Sequence, residues 1–224
     1  MGIYTIKPWF RDRLAGLTEA LTRRGVSADQ VTTAGMAAAV LGGAVIWLGD
    51  RWHPLWLAVP VLVFARIAAN ALDGLVAITS ATARPAGELY NETADRIGDA
   101  AFLGAVALVS GVPPALAVGA LAAAELASFI GITARAAGGS RRYDGPMGKP
   151  DRMAVIALAG LVAAFLGRSS AGLVWNVALV VIAAGAVITA VNRYRRAHRE
   201  LDRRSEGTAP GGAGAGAPGD SDAA

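Results

Sequence analysis

The chain has 224 residues, 54% of them hydrophobic, and a net charge of +4 from 21 basic and 17 acidic side chains. That is too apolar for an ordinary soluble domain, and no gap of soluble-domain size interrupts the apolar segments, so one multispan membrane domain is expected. The absence of cysteine excludes disulfides, thiolate zinc sites and cysteine nucleophiles; His53 and His198 lie outside the apolar segments, which argues against a histidine-based centre. The basic balance reads as positive residues on cytoplasmic loops, not as a nucleic-acid surface.

Taken in order, residues 4–24 are expected to form an amphipathic helix lying on the membrane. Trp9, Phe10, Leu14, Leu17 and Leu21 make its apolar stripe, and Arg11, Arg13, Arg23 and Arg24 its basic rims. This start shows no apolar core of the signal-peptide kind. Gly25 ends the helix and Ser27 is the expected N-cap of the next. The first span is expected over 30–49, followed by a tight turn at Asp50, Arg51 and His53, with Trp52 and Trp56 near the interface. The second, over 54–78, carries Arg66, Asn70 and Asp73 near its far end. A loop over 79–90 contains Pro85 and Gly87, and the third span, over 91–111, is polar at its start and oily after Asp99. Pro113 and Pro114 turn the chain into a fourth span over 115–136, which contains Glu125. A polar loop over 137–152 precedes a short fifth span over 153–167 and a sixth over 171–192. The expected class is therefore all-α: a six-transmembrane-helix bundle with an N-terminal amphipathic interfacial helix. Its parts are a surface helix over 1–26, a membrane domain over 27–200, and a Gly/Ala/Pro-rich tail over 201–224 that cannot build a core and is expected to be disordered.

Loop charge orients this topology. With both ends on one side, that side holds seventeen of the 21 basic residues, and the other holds only Arg51 and Arg168. The asymmetry places both termini, and the polar ends of spans two and three, at the cytoplasmic face of the plasma membrane. No internal repeat is evident.

Residues 70–99 hold the chemistry. Ionisable groups at membrane depth are costly and usually mark function. Asn70 and Asp73 are three apart; Asn91, Asp95 and Asp99 are four apart, so each set lines one helix face. Converging oxygens of this kind could serve an ion path, a proton relay or a metal centre. A metal centre for phosphoryl transfer fits best, because two hard cations bound by oxygen ligands can bridge a diphosphate and neutralise the leaving oxygen. Asp73, Asp95 and Asp99 supply negative charge, Glu92 lies close by, and Asn70 and Asn91 offer neutral oxygens. Gly74 and Gly87 would let a nucleotide approach the backbone. Arg135, Lys149 and Arg152 could hold the phosphates of a second substrate.

The stretch resembles the CDP-alcohol phosphotransferase family, whose motif reads D-x2-D-G-x2-A-R-x8-G-x3-D-x3-D. Here Asn70 holds the first Asp position and Asp73-Gly74 the second; Ala77 matches the Ala and Ile78 replaces the Arg. Gly87 matches, Asn91 holds the third Asp position and Asp95 the fourth. The spacing is kept throughout, and the resemblance covers roughly residues 5–200. It implies transfer of the substituted phosphate of a CDP-linked lipid, such as CDP-diacylglycerol, or of a CDP-linked alcohol, to a small alcohol acceptor with release of CMP, in phospholipid biosynthesis. Two divalent cations, Mg2+ or Mn2+, would sit among Asn70, Asp73, Asn91 and Asp95, with Asp95 the base toward the acceptor hydroxyl. Asp99, one turn further along the Asp95 face, would compensate for the amides. Gly74, Ala77, Gly87, Arg135, Lys149 and Arg152 would contact substrates, with Arg84 or Arg66 in place of the missing Arg. The resemblance also implies a homodimer, surrounded by membrane lipids.

Blander roles compete. Arg66 and Arg96 are expected to balance nearby carboxylates, and Glu125 to be a buried polar link. The small-residue run 117–124 packs helices, and the basic cluster that starts at Arg193 anchors to anionic headgroups. Two other readings remain beside the enzyme. One is a degenerate family member acting as a scaffold, favoured by the amides and the lost Arg. The other is a small transporter, disfavoured by the lack of an inverted half.

Overall fold

The computed structural model describes residues 8–207, and among them the chain is helical with no strand. Seven α-helices follow in order: α1 (Pro8–Arg23), α2 (Ala28–Gly49), α3 (Ala58–Thr79), α4 (Pro85–Val106), α5 (Pro114–Ala136), α6 (Lys149–Leu166) and α7 (Arg168–Gly207), with a 3-10 turn, His53–Leu57, leading into α3.

Local chemistry sets several boundaries. Ser27 caps α2 in a reciprocal box: its Oγ accepts from the Gln30 amide at 3.2 Å, and the Ser27 amide donates to Gln30 Oε1 at 2.9 Å. Helix α4 starts at Pro85, six residues before the expected span, because proline suits the first helical position. Gly87 therefore lies on a helix, not in a loop. Helix α7 runs to Gly207, seven residues into the segment expected as a disordered tail; 208–224 lie outside the described residues. A helix, α1, covers most of the stretch expected to lie on the membrane surface, and its Leu14 packs with Val31, Leu72 and Val76. Residues 4–7 and the side chains of Trp9, Phe10, Arg11 and Arg13 lie outside the described residues.

Packing joins α2 to α3 and α4, α5 to α4 and α7, and α6 to α3 and α7. Ala117, Ala120, Ala124 and Ala127 are fully buried along one face of α5, as a small-residue seam requires for close helix approach. Trp56 is buried within the bundle: its Nε1 donates to the Ile46 carbonyl at 2.9 Å, and its ring meets Trp175 edge-on at 6.3 Å. Asp50 accepts from the Ser110 amide at 3.1 Å and hydroxyl at 2.7 Å, tying two turns together at one end of the bundle. Among the described residues, four helical segments are long and apolar enough to cross a membrane: Ala28–Gly49, His53–Thr79, Pro114–Ala136 and Arg168–Ser205. Helices α4 and α6 fall outside that set because their first turns carry the polar residues of the site.

The α2–α4 seam leaves no room for a side chain at Gly43, where a Cβ would lie 2.4 Å from the Ala101 carbonyl oxygen. Backbone cannot rotate away as a side chain can, so Gly43→Ala is expected to destabilise the bundle by about 1–3 kcal/mol, read as a lowered melting temperature in detergent.

Candidate functional site

Helical spacing puts Arg66, Asn70 and Asp73 along one face of α3, opposite Asn91, Asp95 and Asp99 on α4. Helix α6 brings Lys149 and Arg152 to the same region from its N-terminus, and α2 adds Thr32.

Two cavities meet here. The larger, of about 970 Å³, is lined by Asp73, Gly74, Ala77, Gly87 and Asn91, with Ser27, Asp29 and Thr32 from α2 and Arg84 from the loop. The smaller, of about 210 Å³, is lined by Asn70, Asn91, Asp95, Lys149 and Arg193, with Arg141, Arg142 and Tyr143 from the α5–α6 loop. Asn91 and Glu88 line both, so α4 is the wall they share.

The carboxylates have different partners. Asp73 is buried; its Oδ2 accepts from the Thr32 hydroxyl at 2.8 Å and its Oδ1 from the Gly74 amide at 2.7 Å. Asp95 Oδ1 takes both Arg66 and Lys149. Its Oδ2 has no partner among the described residues. Lys149 also donates to Asn70 Oδ1 at 3.1 Å. Asp99 pairs with Arg152 at 2.5 Å, both 1% exposed, and neither lines either of these two cavities. Arg135 is also away from the cavities, on the outer side of Glu88.

Five of the six residues read as substrate contacts thus separate cleanly. Gly74, Ala77 and Gly87 sit together on the larger cavity, while Arg135 and Arg152 are held by Glu88 and Asp99. Lys149 does line the smaller cavity, but through an ion pair with the proposed base. Ile78, at the family's Arg position, is 73% exposed. Arg84 is the cation that lines the larger cavity among the described residues, and it pairs with Asp29 at 2.5 Å.

Sequence reading missed Thr32, Asp29 and Arg193. Arg193 is buried and donates to the carbonyls of Asp144, at 2.9 Å, and Ala127, at 2.7 Å. The one available signal was its place as the first charge after the last apolar run. Glu92 meets Arg141 and lies 3.8 Å from Arg96, and Arg96 reaches Glu125 at 2.9 Å, the interhelical link expected of Glu125. On the α5–α6 loop, burial works against the charge of Arg141, but the hydrogen bond and charge of Glu92 outweigh it and hold its pKa above the usual guanidinium range.

No three His, Cys, Asp or Glu side chains converge as a metal cluster among the described residues. Two carboxylates and two amides therefore make up the available donor set. Asn91 Oδ1 is buried without a hydrogen-bond partner, on the wall between the cavities. An orphaned buried oxygen acceptor of this kind fits a hard cation.

The fold and site define a helical membrane protein with a polar, oxygen-rich centre between two cavities. No protein-family model matches the chain. It is 32% identical to the inner membrane protein YnbA of Escherichia coli over 197 residues, covering 87% of this chain and 96% of that one. It is also 32% identical to the phosphatidylinositol phosphate synthase of Mycolicibacterium smegmatis over 183 residues, covering 79% of this chain and 80% of the relative. Among solved structures, phosphatidylinositol phosphate synthase of Mycobacterium tuberculosis (PgsA1) with manganese and citrate superposes with a TM-score of 0.69 at 24% identity, over 92% of this chain and 95% of that one. The same enzyme with CDP-DAG bound gives 0.66 at 23% identity, over 91% and 98%. At those identities the structural likeness is one of fold. With the motif spacing and the 32% relatives, it follows that this chain belongs to the CDP-alcohol phosphotransferase family.

Proposed function

We propose that this protein is an integral membrane CDP-alcohol phosphotransferase of phospholipid biosynthesis. It transfers the substituted phosphate of a CDP-linked lipid to an alcohol acceptor and releases CMP. One observation carries the reading: Asp73 lines the larger cavity, Asp95 the smaller, and Asn91 both. A nucleotide on one side of α4 and an alcohol on the other would meet at that wall. The names of the relatives, and the manganese and CDP-DAG in the neighbouring structures, support the same chemistry.

In this reading the larger cavity takes the CDP group, with Gly74, Ala77 and Gly87 giving it a close floor and Arg84 its cation. The smaller takes the acceptor. Asn70, Asp73 and Asn91 would hold Mg2+ or Mn2+, which would neutralise the diphosphate charge, with Asp95 beside them as the base. The acceptor oxygen attacks the phosphorus nearest the lipid, its proton goes to Asp95 Oδ2, and the bond from that phosphorus to CMP breaks. Arg66 and Lys149, both on Oδ1, hold the carboxylate in place and leave its other oxygen for the proton. The pairing of Asp99 with Arg152 supports a structural part for both, outside the ligand set.

The membrane setting is part of the proposal. Six spans, counting α4 and α6, would cross the plasma membrane, with α1 on the cytoplasmic surface, both termini and the site on that side, and a homodimer as the assembly. The division is a surface segment over 1–26, a membrane domain over 27–200, and a tail.

The test is purified full-length protein with CDP-diacylglycerol, a panel of alcohols (glycerol 3-phosphate, inositol phosphate, serine) and each cation, read by released CMP. Release that needs both an acceptor and a cation is expected. CDP-lipid binding without release under any combination would point to a scaffold, and no binding at all would end the reading.

Gly74 separates folding from binding. A Cβ there meets nothing within 4 Å, because it would enter the larger cavity. Gly74→Ala is expected to keep or raise stability, by up to about 1 kcal/mol from helix propensity. It should weaken CDP-lipid binding about tenfold, read by calorimetry against thermal melting.

A further inference from the structure

A third cavity, of about 450 Å³, lies outside both reaction cavities and is lined by Arg142, Arg196, Arg199, Glu200, Arg203 and Arg204. Among the described residues, five guanidiniums face one carboxylate. That carboxylate is already committed: Glu200 accepts from the Ser140 amide at 3.0 Å and hydroxyl at 2.7 Å, from Arg204 at 2.7 Å, and from Arg142. The Ser140 hydroxyl, more than any other neighbour, holds Glu200 below its usual pKa, so it stays an anion. Arg142 also donates to the Arg196 carbonyl at 3.1 Å, and Arg196 lies 3.5 Å from Asp144. Arg199 and Arg203 have no hydrogen bond or ion pair with any described residue. They stand four apart on α7, where like charges repel.

We infer that this cavity is an anion site for a phosphate monoester, held mainly by the unpaired forks of Arg199 and Arg203. Planar guanidiniums in a cluster suit a compact dianion, which they can grip bidentately. Among the described residues no aromatic side chain lines the cavity, so they offer no stacking platform for a nucleobase. Its position fits a ligand at the membrane surface. The apolar run of α7 ends at Arg193, and the cavity starts one turn further on, roughly 5 Å along the axis, within the headgroup layer. The phosphate can belong to an anionic lipid headgroup or to a free phosphate compound. Arg142 lines this cavity and the smaller reaction cavity alike, so an anion bound here touches the wall of the acceptor side.

The experiment uses the full chain in phosphatidylcholine nanodiscs. Inorganic phosphate is titrated by calorimetry; in a second arm the nanodiscs contain phosphatidic acid, and retained lipid is counted by native mass spectrometry. The variant is Arg199→Gln with Arg203→Gln, and the control removes two charges elsewhere, Arg23→Gln with Arg24→Gln. A tenfold or larger loss of phosphate affinity, or loss of the retained phosphatidic acid, in the α7 variant alone establishes the site. The phosphate arm marks a free ligand and the lipid arm a headgroup. Equal binding by variant and parent in both arms overturns the inference, and so does an equal loss in the control, which would reveal a diffuse positive field.

Discussion

Asp95→Asn is expected to lower CMP release at saturating CDP-lipid by two orders of magnitude or more, roughly the range a positioned general base contributes. The amide keeps the shape of the side chain and an oxygen for Arg66 and Lys149, which both bind Oδ1. It loses the basic Oδ2, which accepts no hydrogen bond among the described residues, on a side chain that lines the smaller cavity. The fall should therefore appear in kcat, with the protein still folded in the membrane. Alanine at this position would be a poorer probe, because it strands two cations at once. Turnover by Asp95→Asn within twofold of the parent would refute the assigned base and leave Asp95 as a counter-ion alone.

The second large effect concerns Asp99 and Arg152. Both are 1% exposed and paired at 2.5 Å, with Arg152 also within 3.4 Å of the Ala124 carbonyl. Removing one partner leaves a buried charge that neither water nor lipid can solvate. Asp99→Ala should cost about 3–5 kcal/mol, and lower the melting temperature by roughly 10 °C or more. Replacing both, Asp99→Leu with Arg152→Met, should recover most of that loss, since an apolar pair of similar volume is often neutral. The double variant also separates two roles for Asp99. As a structural partner it can be replaced with CMP release kept within tenfold; as a metal ligand it would leave a stable protein with no turnover.

These cases show where sequence reasoning reached and where it stopped. The N-cap at Ser27 is legible because it is local: its Oγ accepts from an amide only three residues on, and the structure adds the reciprocal bond from Gln30. The buried alanine face of α5 was legible as a small-residue run. Helical spacing was enough to place Asn70 with Asp73, and Asn91 with Asp95, on single faces. Lys149 and Arg135 were read as phosphate contacts because their charge and loop position allow it, yet they meet Asp95 and Glu88. Their partners are 54 and 47 positions away, and no periodicity carries that information. Sharing the Asp95 face makes Asp99 an expected fifth ligand, and the structure sets it one helical turn on, paired with Arg152 away from both cavities.

By itself, the sequence determined a helical membrane chain, the order of its helices, the spacing of a family motif and the two segments that carry its oxygens. Those follow from hydropathy and from a 3.6-residue period, which are properties of single segments. Tertiary structure alone decided which cation neutralises which carboxylate, that Asn91 stands on the wall between two cavities, and that Arg199 and Arg203 have no carboxylate of their own among the described residues. Pairing between helices depends on rotation and depth as they pack, and a turn more or less at α4 moves a carboxylate from a cavity wall to an ion pair away from both cavities.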